Sequence, residues 1–128
     1  MSASVLGVPT IEQLKKVVDK LKKIRKAQWN GQAVTVESYD IDVIVPERKI
    51  TIDATLKRGD ETLKIAAVHY PFDETPDVIT VNGADVDQDD VDLDLDKHWF
   101  RIDLEYRLEF EMGGKTQEVV LTASAGLG

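Results

Sequence analysis

Residues 100–112, FRIDLEYRLEFEM, decide the fold. Phe100, Ile102, Leu104, Tyr106, Leu108, Phe110 and Met112 alternate with Arg101, Asp103, Glu105, Arg107, Glu109 and Glu111. A period of two puts every apolar side chain on one face of a strand and every charge on the other. At about 3.3 Å per residue such a strand spans roughly 43 Å, long enough that it is expected to bend round a core. Gly113-Gly114 turns it back, pairing Leu108 with Val119, Tyr106 with Leu121 and Leu104 with Ala123. On its other side, a turn at Asp96-Lys97 pairs Leu93 with Phe100 and Val91 with Ile102, and sets Asp92 opposite Arg101. Trp99 then falls on the polar face beside Asp94.

The same test of register works upstream. A two-residue turn at Gly59-Asp60 sets Leu56 against Leu63, Ala54 against Ile65, Ile52 against Ala67 and Arg58 against Glu61. A turn at Pro46-Glu47 sets Val43 against Ile50 and Ile41 against Ile52. Both turns place apolar residues on one shared face, and a slip of one residue in either would break the match. Val34 and Val36 are out of phase with Tyr39 and Ile41, so a β-bulge is expected near Glu37-Ser38. Between the two meanders lie the segment 71–76, a short strand Val78–Val81 and an Asn82-Gly83 turn.

Ahead of the strands, Ile11, Leu14, Val17, Val18, Leu21 and Ile24 recur at helical spacing, with Lys15, Lys16, Lys20, Lys22, Lys23 and Lys26 on the opposite side. Thr10 and Gln13 are placed for a capping box, and Asn30-Gly31 is read as the helix stop. The expected molecule is therefore one α+β domain over residues 1–128, mainly antiparallel β. It has an arm at 1–9, an amphipathic helix at 10–30 and antiparallel strands over 33–124. Two meanders with one oily face each pack face to face as a six- to seven-stranded β-sandwich, or curl into a partly open barrel. The helix docks either on the outer face of the first meander, over Ile44, Ala66, Val68 and Tyr70, or into an open end of the barrel.

Composition narrows the function. The chain has no Cys, which removes disulfides, thiol catalysis and Cys-based zinc sites. The net charge of −8 is unevenly spread: residues 1–30 carry seven Lys or Arg against Glu12 and Asp19, leaving the remainder at −13. An acidic body repels a phosphate backbone, so general nucleic-acid binding is not expected. Apolar runs such as Ile65 to Val68 are too short for a membrane-spanning helix. The N-terminal MSASVLGVPTIEQ carries no basic-then-apolar leader pattern, and an intracellular, cytoplasmic or virion location is expected.

Few residues carry a pattern of chemistry. The acidic run from Asp85 to Asp96 invites a Ca²⁺ reading, with Asp85, Asp87, Asp89 and Asp96 as candidate ligands. Asp90 stands where an EF-hand loop needs Gly, and Asp96 where it needs Glu, so a solvated acidic face is the preferred reading. His69 and His98 have no ligand spacing. His69 falls opposite Ile50, and His98 beside the Asp96-Lys97 turn. Arg58-Gly59-Asp60 spells an adhesion tripeptide, which hairpin chemistry already explains. No catalytic residue, cofactor or metal is assigned. The function expected is that of a structural or assembly protein, a virion component included, acting through protein–protein surfaces in self-association or a larger assembly. Its interface candidates are Ile44, Val68, Tyr70, Trp99, Lys16, Lys20 and Lys23. The alternatives are a small-molecule or lipid-binding β-domain closed by the helix, and an acid–base enzyme using His69 or His98 with a carboxylate.

Overall fold

The computed structural model describes residues 10–21 and 26–126. Helix α1 (Ile11–Lys20) is followed by nine strands among the described residues. They are β1 (Lys26–Trp29), β2 (Gln32–Ile44), β3 (Lys49–Arg58), β4 (Glu61–His69), β5 (Val78–Val81), β6 (Ala84–Val86), β7 (Val91–Lys97), β8 (Arg101–Met112) and β9 (Lys115–Gly126), with a short 3₁₀ helix at Gln88–Asp90. All nine belong to one antiparallel sheet in the order β6-β5-β4-β3-β2-β1-β9-β8-β7.

That order is a meander whose two end strands, β6 and β7, do not pair with each other. Of the two expected architectures the barrel is the one found, nearly closed and with nine strands among the described residues instead of six or seven, because β1 bridges the two halves, pairing with β2 through Ala27–Val34 and with β9 through Ala27–Leu121. Following the antiparallel pairs round the sheet gives β6 and β7 the same direction. Residues 84–97 thus run as one interrupted strand. Its first part pairs with β5 and its second part with β8, the 3₁₀ helix making the step between them.

β1 corrects the expected helix. α1 begins as anticipated, with Thr10 Oγ1 accepting from the Gln13 N–H and Gln13 Oε1 accepting from the Thr10 N–H. It ends at Leu21, not near residue 30. Lys26–Trp29 is a strand in which Ala27 and Trp29 are buried while Lys26 and Gln28 are exposed. Asn30 and Gly31, at φ 52° and 80°, form a hairpin turn of the left-handed type. Ladders on both sides outweigh the local helical pattern of a four-residue segment. Lys22, Lys23, Ile24 and the arm at 1–9 lie outside the described residues.

Most registers match the sequence. β3 pairs with β4 through Leu56–Leu63, Ala54–Ile65 and Ile52–Ala67, β2 with β3 through Val43–Ile50 and Ile41–Ile52, and β8 with β9 through Leu108–Val119. The bulge falls between Val36 and Ser38. The β7–β8 register differs: Val91 faces Leu108, Leu93 faces Tyr106 and Asp92 faces Arg107, not Arg101. Alternation fixes which face a residue takes but is blind to a slip by an even number of residues. The turn is longer than two residues, closed by the His98 N–H donating to the Arg101 carbonyl at 2.7 Å. Phe100 and Trp99 accordingly leave the strand for the loop.

Inward-facing side chains of all the long strands form one core with Ile11, Leu14, Val18 and Leu21 of α1. Trp29, Ile52, Leu56, Leu63, Tyr106, Leu108 and Leu121 are fully buried, each contributing about 1.5–3 kcal/mol by leaving water. The helix packs near β2, with Lys15 Nζ 3.5 Å from an Asp42 carboxylate oxygen. Its stripe joins the interior cluster and does not cover the outer face of the first meander, where Ala66 stays exposed. On the outer face of the first meander Ala66 is exposed, and Ile44, Val68 and Tyr70 are half-buried.

Candidate functional site

Three places gather polar or exposed aromatic groups. The first is internal. Register places His69, at the end of β4, and Tyr106, in the middle of β8, on the inward face. His69 Nε2 lies 2.6 Å from the Tyr106 hydroxyl, and its Nδ1 lies 2.9 Å from Asp77 Oδ2. The carboxylate can only accept, so Nδ1–H donates to Asp77 and Nε2 accepts from the tyrosine O–H. Asp77 Oδ1 also accepts from the Tyr70 N–H at 2.9 Å, and the Asp77 N–H donates to Gln88 Oε1 at 2.9 Å. The network ties the 70–77 loop and the 3₁₀ helix to the core. His69 is 7 % exposed and Tyr106 0 %. Burial, with the Asp77 charge adding to it, pushes the Tyr106 phenol well above its ordinary value.

The second place is an open groove of about 410 Å³ between β6 and the far end of β8, lined by Asp85, Val86, Asp87, Asp90, Glu109, Phe110, Glu111 and Thr116. It exists because β7 begins opposite Leu108, which leaves β8 without a neighbour on that side beyond this point. Of the candidate Ca²⁺ ligands, Asp85 and Asp87 reach this groove, Asp89 lines a neighbouring one and Asp96 sits at the other end of β7. Among the described residues no three acidic or histidine side chains are grouped to hold a metal ion.

The third is the tip of the β7–β8 loop. Trp99 is 86 % exposed and Phe100 75 %, their rings edge to face at 6.1 Å. The loop is pinned from below. His98 Nε2 lies 2.9 Å from Asp103 Oδ2, and Ser124 Oγ donates to Asp103 Oδ1 at 2.5 Å. Arg101 Nε donates to Asp103 at 3.2 Å. The hydrogen bond from Ser124, then the Arg101 and His98 charges, hold the Asp103 carboxyl below the ordinary aspartate range.

Both histidines therefore have a carboxylate; the hydroxyl beside His69 is the buried Tyr106 phenol, and no Ser or Thr hydroxyl among the described residues bonds to either ring. Ser124 bonds to Asp103, on the far side of the carboxylate from His98. Each ring nitrogen of His69 is engaged inside the barrel. A general base needs a free nitrogen within reach of a proton on substrate. The adhesion tripeptide is likewise occupied: the Arg58 guanidinium lies 3.6 Å over the Trp29 ring and 2.9 Å from Glu61. Among the interface candidates Lys16 and Lys20 are exposed on α1.

Sequence reading placed Trp99 at the surface but put Phe100 in the core, because its alternation with Ile102 hides that the strand has already ended. The link between His69 and Tyr106 had a signal, since both fall on the inward face. Asp77 had none. Among the described residues no helix is long and apolar enough to cross a membrane. Comparison of the chain with models of protein families, with curated proteins and with solved structures found no match.

Proposed function

We propose that this chain is a non-catalytic structural or assembly protein that works through a protein–protein surface centred on the β7–β8 loop. The observation that carries this reading is the exposed pair Trp99 and Phe100. Large aromatic side chains bury about 150–250 Å² each in an interface. At ~25 cal/mol per Å², covering most of both contributes on the order of 5 kcal/mol before ordering costs. Aromatic anchors of this kind dominate binding energies, and an isolated surface does not need them. The pinning of the loop by Asp103 and His98 supports the same reading, since an anchor held in place loses less entropy on binding. The exposed Asp92, Asp94 and Asp96 of β7 lead up to the loop, so the part of the partner that lies along β7 is basic, beside a pocket for the two rings.

A photo-crosslinking residue placed at position 99 tests this in the native cell, with the exposed position 53 on β3 as control. The expected result is a discrete protein adduct at 99 and none at 53, its mass telling a second copy from another chain. Equal, diffuse labelling at both positions would overturn the proposal.

A further inference from the structure

The surface next to the aromatic tip is an unpaired strand edge. β7 (Val91–Lys97) has β8 on one side, and among the described residues no strand on the other. No hydrogen bond among those residues joins its free edge to the 70–77 loop. The outward-pointing N–H and C=O groups of alternate residues along this seven-residue strand, about 23 Å long, form a template for another strand.

Resting on the reading of the β7–β8 loop as a contact surface, we infer that the partner adds a strand to β7, and that this strand alternates basic and apolar residues. Asp92, Asp94 and Asp96 are exposed on the outer face of β7. Asp92 and Asp94 have no cation at ion-pair distance among the described residues, since Arg107 is engaged by Glu105 and Glu118. Opposite them a neighbouring strand places its outer-face residues, and Lys or Arg there converts three like charges into three cross-strand pairs. On the inner face Val91, Leu93 and Leu95 are half-buried, unlike the fully buried Leu104 and Tyr106 that they face across the β7–β8 ladder. Apolar residues of the added strand would complete their burial.

The same charges say which strand is not added. Pairing β7 with β7 of a second copy would set aspartates against aspartates, and like charges directly opposite are destabilising. β6 has only three residues to offer. A basic segment of a different protein is the occupant that fits. Such a strand, running along β7, ends beside Trp99 and Phe100, so edge and anchor form one continuous surface.

The test uses the full chain and a seven-residue peptide alternating Lys and Val, capped at both ends. Its counterparts are the same peptide with Asp for Lys, and one N-methylated along a single edge. Fluorescence anisotropy at low salt is expected to show the Lys peptide binding at least about tenfold tighter than either counterpart. Amides in 91–97 are expected to gain about tenfold protection from hydrogen exchange, and the double variant Asp92→Lys/Asp94→Lys to prefer the Asp peptide. No binding of the Lys peptide at millimolar concentration, equal binding of the N-methylated peptide, or unchanged exchange in 91–97 would each overturn strand addition. A crosslink at position 99 surviving any of these would leave the aromatic contact standing without it.

Discussion

The Tyr106 hydroxyl sits 2.6 Å from His69 Nε2 across the barrel interior, and through the other ring nitrogen the same histidine holds Asp77. This arrangement resembles a proton relay in chemistry but not in access, because both rings are closed off from solvent. Its effect is to anchor a loop. Tyr106→Phe leaves His69 Nε2 without its partner and is expected to lower stability by about 1–3 kcal/mol. Tyr39 offers the opposite case: its hydroxyl is buried with no hydrogen-bond partner among the described residues. Tyr39→Phe is expected to be neutral or to stabilise by up to about 1 kcal/mol. Urea unfolding of the two variants side by side checks the difference in sign.

Alkaline pH probes the same phenols. Burial raises both Tyr106 and Tyr39 above the ordinary value of 10. The unfolded chain therefore releases these protons first, and between 10 and the higher folded values the folded state binds more protons. Stability falls with rising pH in that window and is fully present below it. The urea midpoint is expected to drop steadily above about pH 10, with Tyr106→Phe and Tyr39→Phe each flattening the decline.

For the loop beneath the aromatic tip, Asp103 is the group to follow. Its lowered value means that the carboxylate persists, with its hold on His98, to pH below 3.8. The associated stability is present above that value and is lost as pH falls through the folded midpoint. Ser124→Ala removes the largest cause and is expected to move the midpoint up toward 3.8, read from the Asp103 side-chain carbon shift by NMR.

Asn30 tests the strand that closes the barrel. Its backbone takes φ 52°, its Oδ1 accepts from the Glu118 N–H at 2.8 Å, and its Nδ2 donates to Gln117 at 2.8 Å. Gln117 Oε1 in turn accepts from the Trp29 indole N–H at 2.9 Å. Asn30→Ala loses these bonds and takes on left-handed strain, and is expected to cost about 1–3 kcal/mol. Thermal unfolding checks it. A surface helix end at this position would show a change well below 1 kcal/mol.

How much of this was legible in the sequence follows from what each signal measures. Alternation in 101–112 and the turns at Gly59-Asp60 and Gly113-Gly114 set faces and registers together, because wrong pairings there mismatch several residues at once. Asp92, Leu93, Asp94 and Leu95 repeat so regularly that a slip by an even number of residues costs nothing in pattern. The β7–β8 register was therefore set by loop length, which local composition does not reveal. Lys26–Trp29 is short and continues a lysine-rich helical run, so its role appears only through β2 and β9. Reading it as helix also hid the join that makes one barrel of two meanders. The proposed contact surface was half visible: Trp99 stood out, whereas Phe100 and the open edge of β7 depend on where strands end.

Trp99 and Phe100 are proposed to hold the chain in an assembly and to do little for its own fold. The most direct measurement is the size at which the tagged 14.3 kDa chain migrates in a native extract of its own cells, as wild type and as Trp99→Ser/Phe100→Ser. A wild-type complex well above the monomer mass is expected, with the double variant at the monomer position and its thermal stability unchanged. A wild-type chain that already runs as a monomer, or a double variant that stays in the complex, would contradict the proposal.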